Sequence, residues 1–534
     1  LSRRTLLRAL AAGLVAPAAR AGAKAGAVPV EGGIARIEYA ALEPLRPGDR
    51  LLARVSFPPT GAPILGPDRA GAGYRLLLRL ASEGRAAGNH GDLYDNRDRG
   101  HSRLPAAAHP QLVHTRYDEA AREAGLDYGR ATRILFEAPT IGNSSTALVG
   151  SPLWRSQARA ALTVPDGPGR LWRNYASGAL RVYPEHRDHD PKHGDLLPAN
   201  TPCLLISQGS SGSDRSHLEA LAMILAAFRP DTKAALKEAG VIAPALQMIY
   251  RRGRSGAGSR AGYLSGAAHP AVFGGGGIEL AAMVAAANAL TPGAIPPLVR
   301  LRVTSETRAE EGVDFFGDGL SEALFDTPPA IARVWRSRDF RREMVLSAGD
   351  TRDPNGRSLT FHWVLLQGDP ARTRITPLDA AGRRARITVE WQAPRPAAGR
   401  SDITSPRIDI GVFADNGATL SAPAILSVLL PAHETRRYEE GPDGAMRPAV
   451  IDRARPEGVY ADPMIFPETP WRDVYRHDDA GRPAGWTRHH ADGRVTRHDA
   501  AGRRVPPTGA PERVRYPLTA RSDGTRKVRL RAGE

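Results

Sequence analysis

Apolar residues follow more than one period along this 534-residue chain. In the first half, short apolar runs typical of buried strands alternate with stretches where apolar residues recur every three or four positions, as Leu218, Leu221 and Leu225 do. Such alternation predicts an α/β or α+β domain over residues 28–304. The predicted strands are 50–57, 74–80, 132–136, 180–183, 203–207 and 298–303. The predicted helices are 119–124, 217–228, 232–239 and 278–290.

Residues 328–431 change to short alternating runs, such as ARITVEW, with turns about every 8–12 residues. This pattern predicts a β-sandwich. The turn DPNG at 353–356, followed by a strand that carries Trp363, resembles that of PKD and related Ig-like domains. The resemblance implies a spacing, docking or glycan-binding role for this domain and says nothing about catalysis.

The region 458–505 is repetitive and predicts a set of β-hairpins. Gly481, Gly493 and Gly502 each follow Asp or Ala and precede Arg, and such a glycine fits the positive-φ position of a hairpin turn. The units resemble tyrosine–aspartate (YD) repeats. A basic tail punctuated by Pro and Gly follows at 506–534. The predicted fold class is therefore multidomain: an α/β domain, an Ig-like sandwich and a hairpin-rich C-terminal region.

The first 21 residues, LSRRTLLRALAAGLVAPAARA, have a basic start, an apolar run at 6–15 and small residues at Ala19 and Ala21. These are the parts of an export signal, and the apolar run is too short to span a bilayer. The paired Arg3 and Arg4 resemble the twin-arginine signature. The resemblance implies the twin-arginine export machinery and a signal peptidase as partners, and a periplasmic or secreted location.

The formal net charge is +16, from 73 Lys and Arg against 57 Asp and Glu. The basic residues are spread among acids, as in HRDHDPKHGD, whereas nucleic-acid binders concentrate them on one face. We therefore expect no nucleic-acid partner, and allow a weak attraction to a glycan or another anionic polymer. Later apolar segments are too short for a transmembrane helix. The single cysteine, Cys203, excludes an internal disulfide.

The stretch LLISQGSSGSDRSHLEALAMILA predicts a strand, a Gly/Ser loop and a helix. The backbone N–H groups at the start of such a helix point toward the loop and favour an oxyanion or phosphate there. The predicted anion-binding residues are Gln208, Gly209, Ser210 and Gly212. The stretch resembles the oxyanion strand and first helix of some α/β-hydrolases, but their G-x-S-x-G elbow is missing. Ser211 remains a candidate nucleophile, and a simple helix cap by Ser213 or Asp214 is the alternative.

The loop GNHGDLYDNRDRGHSRL at 88–104 carries the first candidate acid–base cluster. Asp95, Asp98 and His101 are its candidate catalytic residues, and Asn89 and Arg97 are its candidate substrate- or anion-binding residues. It is not an EF-hand loop, because arginines fall at ligand positions when the loop is counted from Asp95. A surface loop of mutually paired charges is the alternative.

The loop after the strand at 180–183 contains His186, Asp188, His189 and His193. Histidine with carboxylate is a ligand set of metal hydrolases, so a divalent metal is a possible cofactor, and His189 is also a candidate acid or base. The spacing matches no specific metal motif, and a solvated loop is the alternative. Asn143, in a further polar loop, is predicted to help bind substrate.

Two classes of function fit these residues. The first is an exported hydrolase acting on a glycan, glycoside or ester outside the cytoplasm; the second is a non-catalytic periplasmic or surface binding or adhesion protein. Exported nucleoside-hydrolase-like proteins also join an α/β domain to such a sandwich, but their D-x-D-x-x-x-D-D cluster is absent here. The classes differ in geometry, because an enzyme requires the loops near 89–101, 143–146, 185–195 and 208–214 to meet in space.

Overall fold

The computed structural model describes most of the chain. It covers residues 26–45, 49–60, 63–66, 69–86, 89–129, 133–144, 156–185, 189–190, 194–195, 197–210, 212–454, 465–467, 469–520, 526–528 and 531–532. The expected export signal at 1–21, the candidate nucleophile Ser211 and the candidate ligands His186, Asp188 and His193 lie outside the described residues.

An eight-stranded sheet organises the first half of the chain. Its strands, together with those of the smaller sheets beside it, are β1 (Val28–Glu31), β2 (Ile34–Ile37), β3 (Glu43–Leu45), β4 (Arg50–Ala53), β5 (Val55–Ser56), β6 (Asp92–Asn96), β7 (Leu112–Tyr117), β8 (Ile134–Phe136), β9 (Thr140–Asn143), β10 (Ala179–Glu185), β11 (His189–Asp190), β12 (Gly194–Asp195) and β13 (Leu205–Gln208). The order is β13-β10-β9-β6-β7-β2-β1-β5, and every neighbouring pair except β1–β2 is parallel. All seven residues of β10 are buried, as expected when a parallel sheet is covered on both faces.

Helices pack against both faces of this sheet. They are α1 (Ala72–Ser82), α2 (Glu119–Glu123), α3 (Gln157–Thr163), α4 (Gly167–Ala176), α5 (Arg215–Ala227), α6 (Pro230–Glu238), α7 (Ile242–Arg252), α8 (Arg260–Tyr263) and α9 (Leu280–Ala289). Helix α5 is buried over most of its surface because α1, α7 and α9 pack around it. A separate apolar cluster on the other face joins Leu93 of β6 to α2 and to the small sheet β3–β4–β8. No helix within the described ranges is long and apolar enough to cross a membrane.

Two sheets around one hydrophobic core form the next part of the chain. Their strands and an adjoining hairpin are β14 (Arg302–Glu306), β15 (Ala323–Thr327), β16 (Ala330–Val334), β17 (Arg341–Ser347), β18 (Thr360–Gln367), β19 (Thr373–Pro377), β20 (Arg384–Glu390), β21 (Arg395–Ala397), β22 (Arg400–Ser405), β23 (Arg407–Asp415) and β24 (Ala424–Leu429). The orders are β14-β17-β20-β19 and β15-β16-β24-β23-β18, with β21–β22 as a separate hairpin. Alternate residues such as Met344, Ile387 and Ile410 fill the shared core.

The C-terminal region is a six-stranded antiparallel sheet with small additions. Its strands are β25 (Glu434–Glu440), β26 (Met446–Arg453), β27 (Ile465–Pro467), β28 (Trp471–His477), β29 (Pro483–His490), β30 (Val495–His498), β31 (Arg504–Val505), β32 (Val514–Arg515), β33 (Leu518–Ala520), β34 (Arg526–Val528) and β35 (Arg531–Ala532). The main order is β25-β26-β28-β29-β30-β31. Gly481, Gly493 and Gly502 have φ of 73°, 83° and 76°, which confirms their predicted turn conformation.

Buried polar contacts join the α/β domain to the sandwich. The Asp409 carboxylate accepts hydrogen bonds from Arg407 (2.8 Å) and Ser427 (2.7 Å) of the sandwich. The Ser427 hydroxyl accepts a hydrogen bond from the backbone amide of Asn200 in the α/β domain at 2.9 Å. The Arg407 side chain donates to the backbone carbonyl of Leu197 at 3.0 Å. Because these groups are buried, the interface fixes how the sandwich lies against the α/β domain.

The predicted multidomain organisation, with an α/β region followed by β-rich parts, is confirmed. The Ig-like identity of the sandwich and the YD-like identity of the hairpins stay predictions. The predicted strand 74–80 is wrong, because these residues lie in α1 and bury Tyr74, Leu77 and Leu80 at helical spacing.

Candidate functional site

Four parallel strands end side by side at one edge of the large sheet. Strands β13, β10, β9 and β6 are consecutive neighbours, and their last residues are Gln208, Glu185, Asn143 and Asn96. Backbone bonds tie these ends together: the Gly209 amide donates to the Glu185 carbonyl (3.1 Å), and the Arg97 amide donates to the Asn143 carbonyl (2.9 Å). The carboxyl edge of a parallel sheet is where α/β folds place their sites. The described parts of the four predicted loops therefore meet.

Asp214, at the start of α5, is the buried acid of this edge. Its side chain does not cap the helix; Oδ2 accepts a hydrogen bond from the Asn143 amide at 2.7 Å, and Oδ1 is buried without a hydrogen-bond partner. Burial raises the pKa of Asp214, the hydrogen bond from Asn143 and the nearby Ser102 hydroxyl oppose this rise, and the nearby Asp98 charge adds to it. Asp214 therefore keeps its proton at higher pH than an ordinary aspartic acid.

Asn143 links Asp214 to Tyr94. The Asn143 Oδ1 accepts a hydrogen bond from the Tyr94 hydroxyl at 3.0 Å. The Tyr94 oxygen in turn accepts from the Leu104 amide (3.0 Å) and from the Asn96 side chain (3.2 Å). Burial raises the pKa of Tyr94 to about 12, so the hydroxyl stays protonated and acts as a donor. These hydrogen bonds fix the Asn143 side chain so that its amide N–H points at the Asp214 carboxyl.

The loop after β6 is strained and held by side chains. Arg99 and Ser102 have φ of 49° and 50°, a region that residues with a Cβ rarely adopt. The Asn96 Oδ1 accepts from the Asp98 and Gly100 amides, both at 3.0 Å. The Ser102 hydroxyl then accepts from the Gly212 amide at 2.7 Å and so joins the β6 loop to the β13 loop. Strain of this kind concentrates at functional sites.

The Gly/Ser loop after β13 is closed by its own contacts. Gly209 and Gly212 have φ of 121° and 98°, which a residue with a Cβ would adopt only under strain. The Ser213 amide donates to the Ser210 carbonyl and the Ser213 hydroxyl lies 3.0 Å from that of Ser207. The amides of Gly209, Gly212 and Ser213 are thus engaged within the protein. The loop positions Asp214 at the sheet edge.

Asp95 and Arg97 have partners that hold the fold. The buried Asp95 carboxylate contacts Arg181 at 2.7 Å and accepts from Thr115 (2.7 Å) and Tyr117 (2.8 Å). Burial alone would raise the pKa of Asp95, but the positive charge of Arg181 and these hydrogen bonds lower it below its usual range. The Arg97 guanidinium donates to the carbonyl of Tyr128 at 2.6 Å and to that of Leu126.

The remaining candidates lie in three different settings. Asn89 precedes β6, so it lies at the opposite edge of the sheet, where its side chain donates to the Ala226 carbonyl at 3.0 Å. Asp98 is buried near Asp214. The His101 side chain is exposed. The backbone carbonyl of His101 faces the site and accepts a hydrogen bond from the Asn96 side chain at 2.8 Å. His189 is buried in β11.

The sandwich contributes a side chain to this edge. Arg400, in the β21–β22 hairpin, donates from Nη1 to the Gln208 Oε1 at 2.7 Å. The pKa of the neighbouring Asp402 is lowered, mainly because Arg400 donates a hydrogen bond to its carboxylate. The charge of His189, which lies close by, lowers this pKa further. Strand β22 also packs against β12. The α/β domain alone therefore does not build the whole wall of the site.

Replacing Arg400 with alanine is expected to loosen the end of β13. The loss of a hydrogen bond from a charged donor lowers the free energy of unfolding by about 1–2 kcal/mol. Hydrogen exchange of the amides in 205–210 should become faster. Arg395 on the same hairpin pairs only within the sandwich, with Asp369 at 3.2 Å, and serves as the control. Arg395→Ala should leave this exchange unchanged; equal acceleration in both variants would contradict the contact.

A cleft of about 990 Å³ opens beside Tyr94 and Asn96, over β6 and β7. Its floor includes His114, whose ring packs edge-on against Tyr94 at 4.9 Å and whose Nε2 is buried without a hydrogen-bond partner. Burial, reinforced by the charges of Arg103 and Arg116, lowers the pKa of His114 to about 4. His114 is therefore neutral near pH 7. The cleft reaches Asp214 through Tyr94 and Asn143.

Metal binding stays a prediction. Within the described ranges, no group of three His, Cys, Asp or Glu side chains is arranged to hold a metal ion. Of the four proposed ligands only His189 is described, and it lies close to Asp402 in β22 of the sandwich.

Sequence reasoning missed several residues of this site. Asp214 was visible only as a possible helix cap, and Ser102 and His114 had no assigned role. A detectable signal was present at Asp214, because an acid directly after a Gly/Ser loop at a strand end occupies a position where α/β folds bind ligands. Arg400 carried no such signal, since 192 residues separate it from Gln208.

Comparison with known proteins assigns no family. No family model matches the chain, and no curated protein matches it. One solved structure with some similarity is a nucleoside hydrolase-related hypothetical protein from Saccharophagus degradans that is associated with carbohydrate metabolism. The two chains are 9% identical, the TM-score is 0.20, and the alignment covers 64% of this chain and 100% of the other. At this TM-score the likeness carries no argument about function.

Proposed function

We propose that this protein is an exported hydrolase that acts on an extracytoplasmic glycan, glycoside or ester. The observation that carries the proposal is Asp214, a buried carboxyl with a raised pKa and one unpartnered oxygen, at the edge where four parallel strands end. Perturbed acids in such positions are typical of catalytic sites. Export rests on the sequence of residues 1–21.

In this proposal Asp214 is the proton donor. Hydrolysis of a C–O bond transfers a proton to the leaving oxygen and uses water as the nucleophile. The Asp214 carboxyl supplies that proton when it is protonated, which its raised pKa favours, and Asn143 holds the carboxyl in one orientation through its 2.7 Å hydrogen bond. A positioned proton donor typically accelerates such a reaction by about 10²–10⁴-fold.

Asp98 is the proposed base that accepts the proton of the attacking water. Its charge lies close enough to raise the pKa of Asp214. Glycoside hydrolysis requires two nearby carboxyls, of which one acts as the acid and the other as the base. The strained loop 96–102 holds Asp98 beside the site, because Asn96 binds its amide.

The experiment that tests the function is a hydrolysis panel. The purified full chain is assayed against chromogenic aryl glycosides, polysaccharides and aryl esters, with release of phenol or reducing sugar as the readout. Turnover of at least one class above the uncatalysed rate is the expected result. Absence of turnover throughout, together with binding to a panel glycan, would favour a binding protein instead.

A further inference from the structure

We propose that the cleft over β6 and β7 binds an acidic oligosaccharide, through Arg99, Arg103, Arg116 and Arg122. The inference deepens the proposed function, on which the choice of a saccharide rests, by naming the charge of the substrate. The anion-binding character of the cleft rests on the arginines alone.

The four arginines share one property beyond their place in the cleft. Each is exposed, and none forms an ion pair with a carboxylate anywhere in the described part of the chain. About half of the exposed arginines elsewhere do so, as Arg472 does with Asp452 at 2.7 Å. Among the described residues that line the cleft, Asp127 is the one with a carboxylate. The cleft therefore holds an excess of about three positive charges, which an anion would balance.

Contacts with the protein hold two of the four guanidinium groups, those of Arg122 and Arg99. The Arg122 Nε donates to the Tyr117 carbonyl at 3.1 Å, and the Arg99 guanidinium lies 5.1 Å from the centre of the Tyr128 ring. Arg103 and Arg116 both act on His114 at the floor, since the charges of both lower its pKa. Positive groups thus converge on the floor from the loop after β6 and from β7.

The floor also suits a sugar. Asn96 and Thr115 add uncharged polar side chains to its lining, and such groups hydrogen bond to sugar hydroxyls. Arginine binds carboxylate and sulfate oxygens through two parallel N–H donors. A volume of about 990 Å³ is at the upper end for small-molecule pockets and exceeds what one inorganic anion needs. Uronate or sulfated sugars combine both kinds of group.

The test measures binding without turnover. Titration calorimetry with the full chain compares an oligogalacturonate, a sulfated oligosaccharide, a neutral maltooligosaccharide of equal length and inorganic sulfate. We expect binding of at least one acidic sugar, at least tenfold tighter than the neutral sugar and inorganic sulfate, and weakening as NaCl rises. Equal binding of acidic and neutral sugars, no binding of either acidic sugar, or inorganic sulfate binding as tightly would overturn the proposal.

Variants separate the cleft from general charge. The double variant Arg103→Gln, Arg116→Gln is expected to weaken the Kd of the acidic sugar by about tenfold or more, because charge-assisted hydrogen bonds are lost. The control Arg472→Gln, Arg482→Gln removes the same charge from the C-terminal sheet and should leave the Kd unchanged. Equal weakening by both would mean non-specific attraction. Asp214→Asn should still bind, so failed hydrolysis and failed binding are distinguishable.

Discussion

Replacing Asp214 with asparagine is expected to lower kcat/KM by about 10²–10⁴-fold on whichever substrate the wild-type protein hydrolyses. Asparagine keeps the shape of the side chain and can still hydrogen bond to Asn143, but it has no acidic proton. KM should change little, because the variant keeps the size of the side chain and its hydrogen bond to Asn143. Steady-state kinetics on the best substrate of the hydrolysis panel measures the effect.

The pH profile separates a proton donor from a structural acid. A general acid must be protonated, and burial raises the pKa of Asp214, so wild-type activity should fall as pH rises through a value above the usual 3.9 of aspartic acid. Asp214→Asn should lose this basic limb. Its stability near pH 7 should be equal or higher, because the variant no longer buries an acid whose charged form is disfavoured.

Asp231→Asn is the matched control for this variant. Asp231 also lies in the first turn of a helix, but on the surface, 3.5 Å from Arg229. It should retain full activity and the basic limb. A wild-type rate in Asp214→Asn, or an equal loss in Asp231→Asn, would remove Asp214 from the reaction.

The sequence predicts the α/β architecture well where burial is continuous. Helices α5, α6 and α9 lie within one or two residues of their predicted bounds, because their apolar positions recur at helical spacing over several turns. Helix α1 was mistaken for a strand, since the run of leucines between Tyr74 and Leu80 is short and apolar enough to fit either element. Its arginines at 75 and 79 lie outside the buried stripe.

The site could be located from the sequence but not assembled. Loops at strand ends predict which segments meet, because parallel strands point the same way. The hydrogen bonds of the site join residues that are far apart in the sequence. Asn143 and Asp214 are 71 positions apart, and Ser102 and Gly212 are 110 apart. Asp95 illustrates the consequence, since the sequence showed an acid in a polar loop but not the buried arginine it contacts.

Replacing Asp95 with alanine is expected to lower the free energy of unfolding of the α/β domain by about 3–5 kcal/mol, because Arg181 remains buried without its carboxylate. The pKa of Asp95 is lowered in the folded state, so its stabilisation is present above the unfolded pKa of about 3.9 and is lost as pH falls through the folded pKa. The difference between the wild type and Asp95→Ala in urea unfolding should therefore shrink below about pH 4.

A double variant shows whether the pair or the acid matters. Asp95→Leu with Arg181→Met replaces both charges by apolar groups, and should recover much of the stability that Asp95→Ala loses, since no unpaired charge stays buried. The exposed ion pair of Asp452 and Arg472 serves as the control. Asp452→Ala should lower the free energy of unfolding by at most about 1 kcal/mol. Recovery of stability together with hydrolysis would make Asp95 a structural residue, whereas stability without hydrolysis would return it to the reaction.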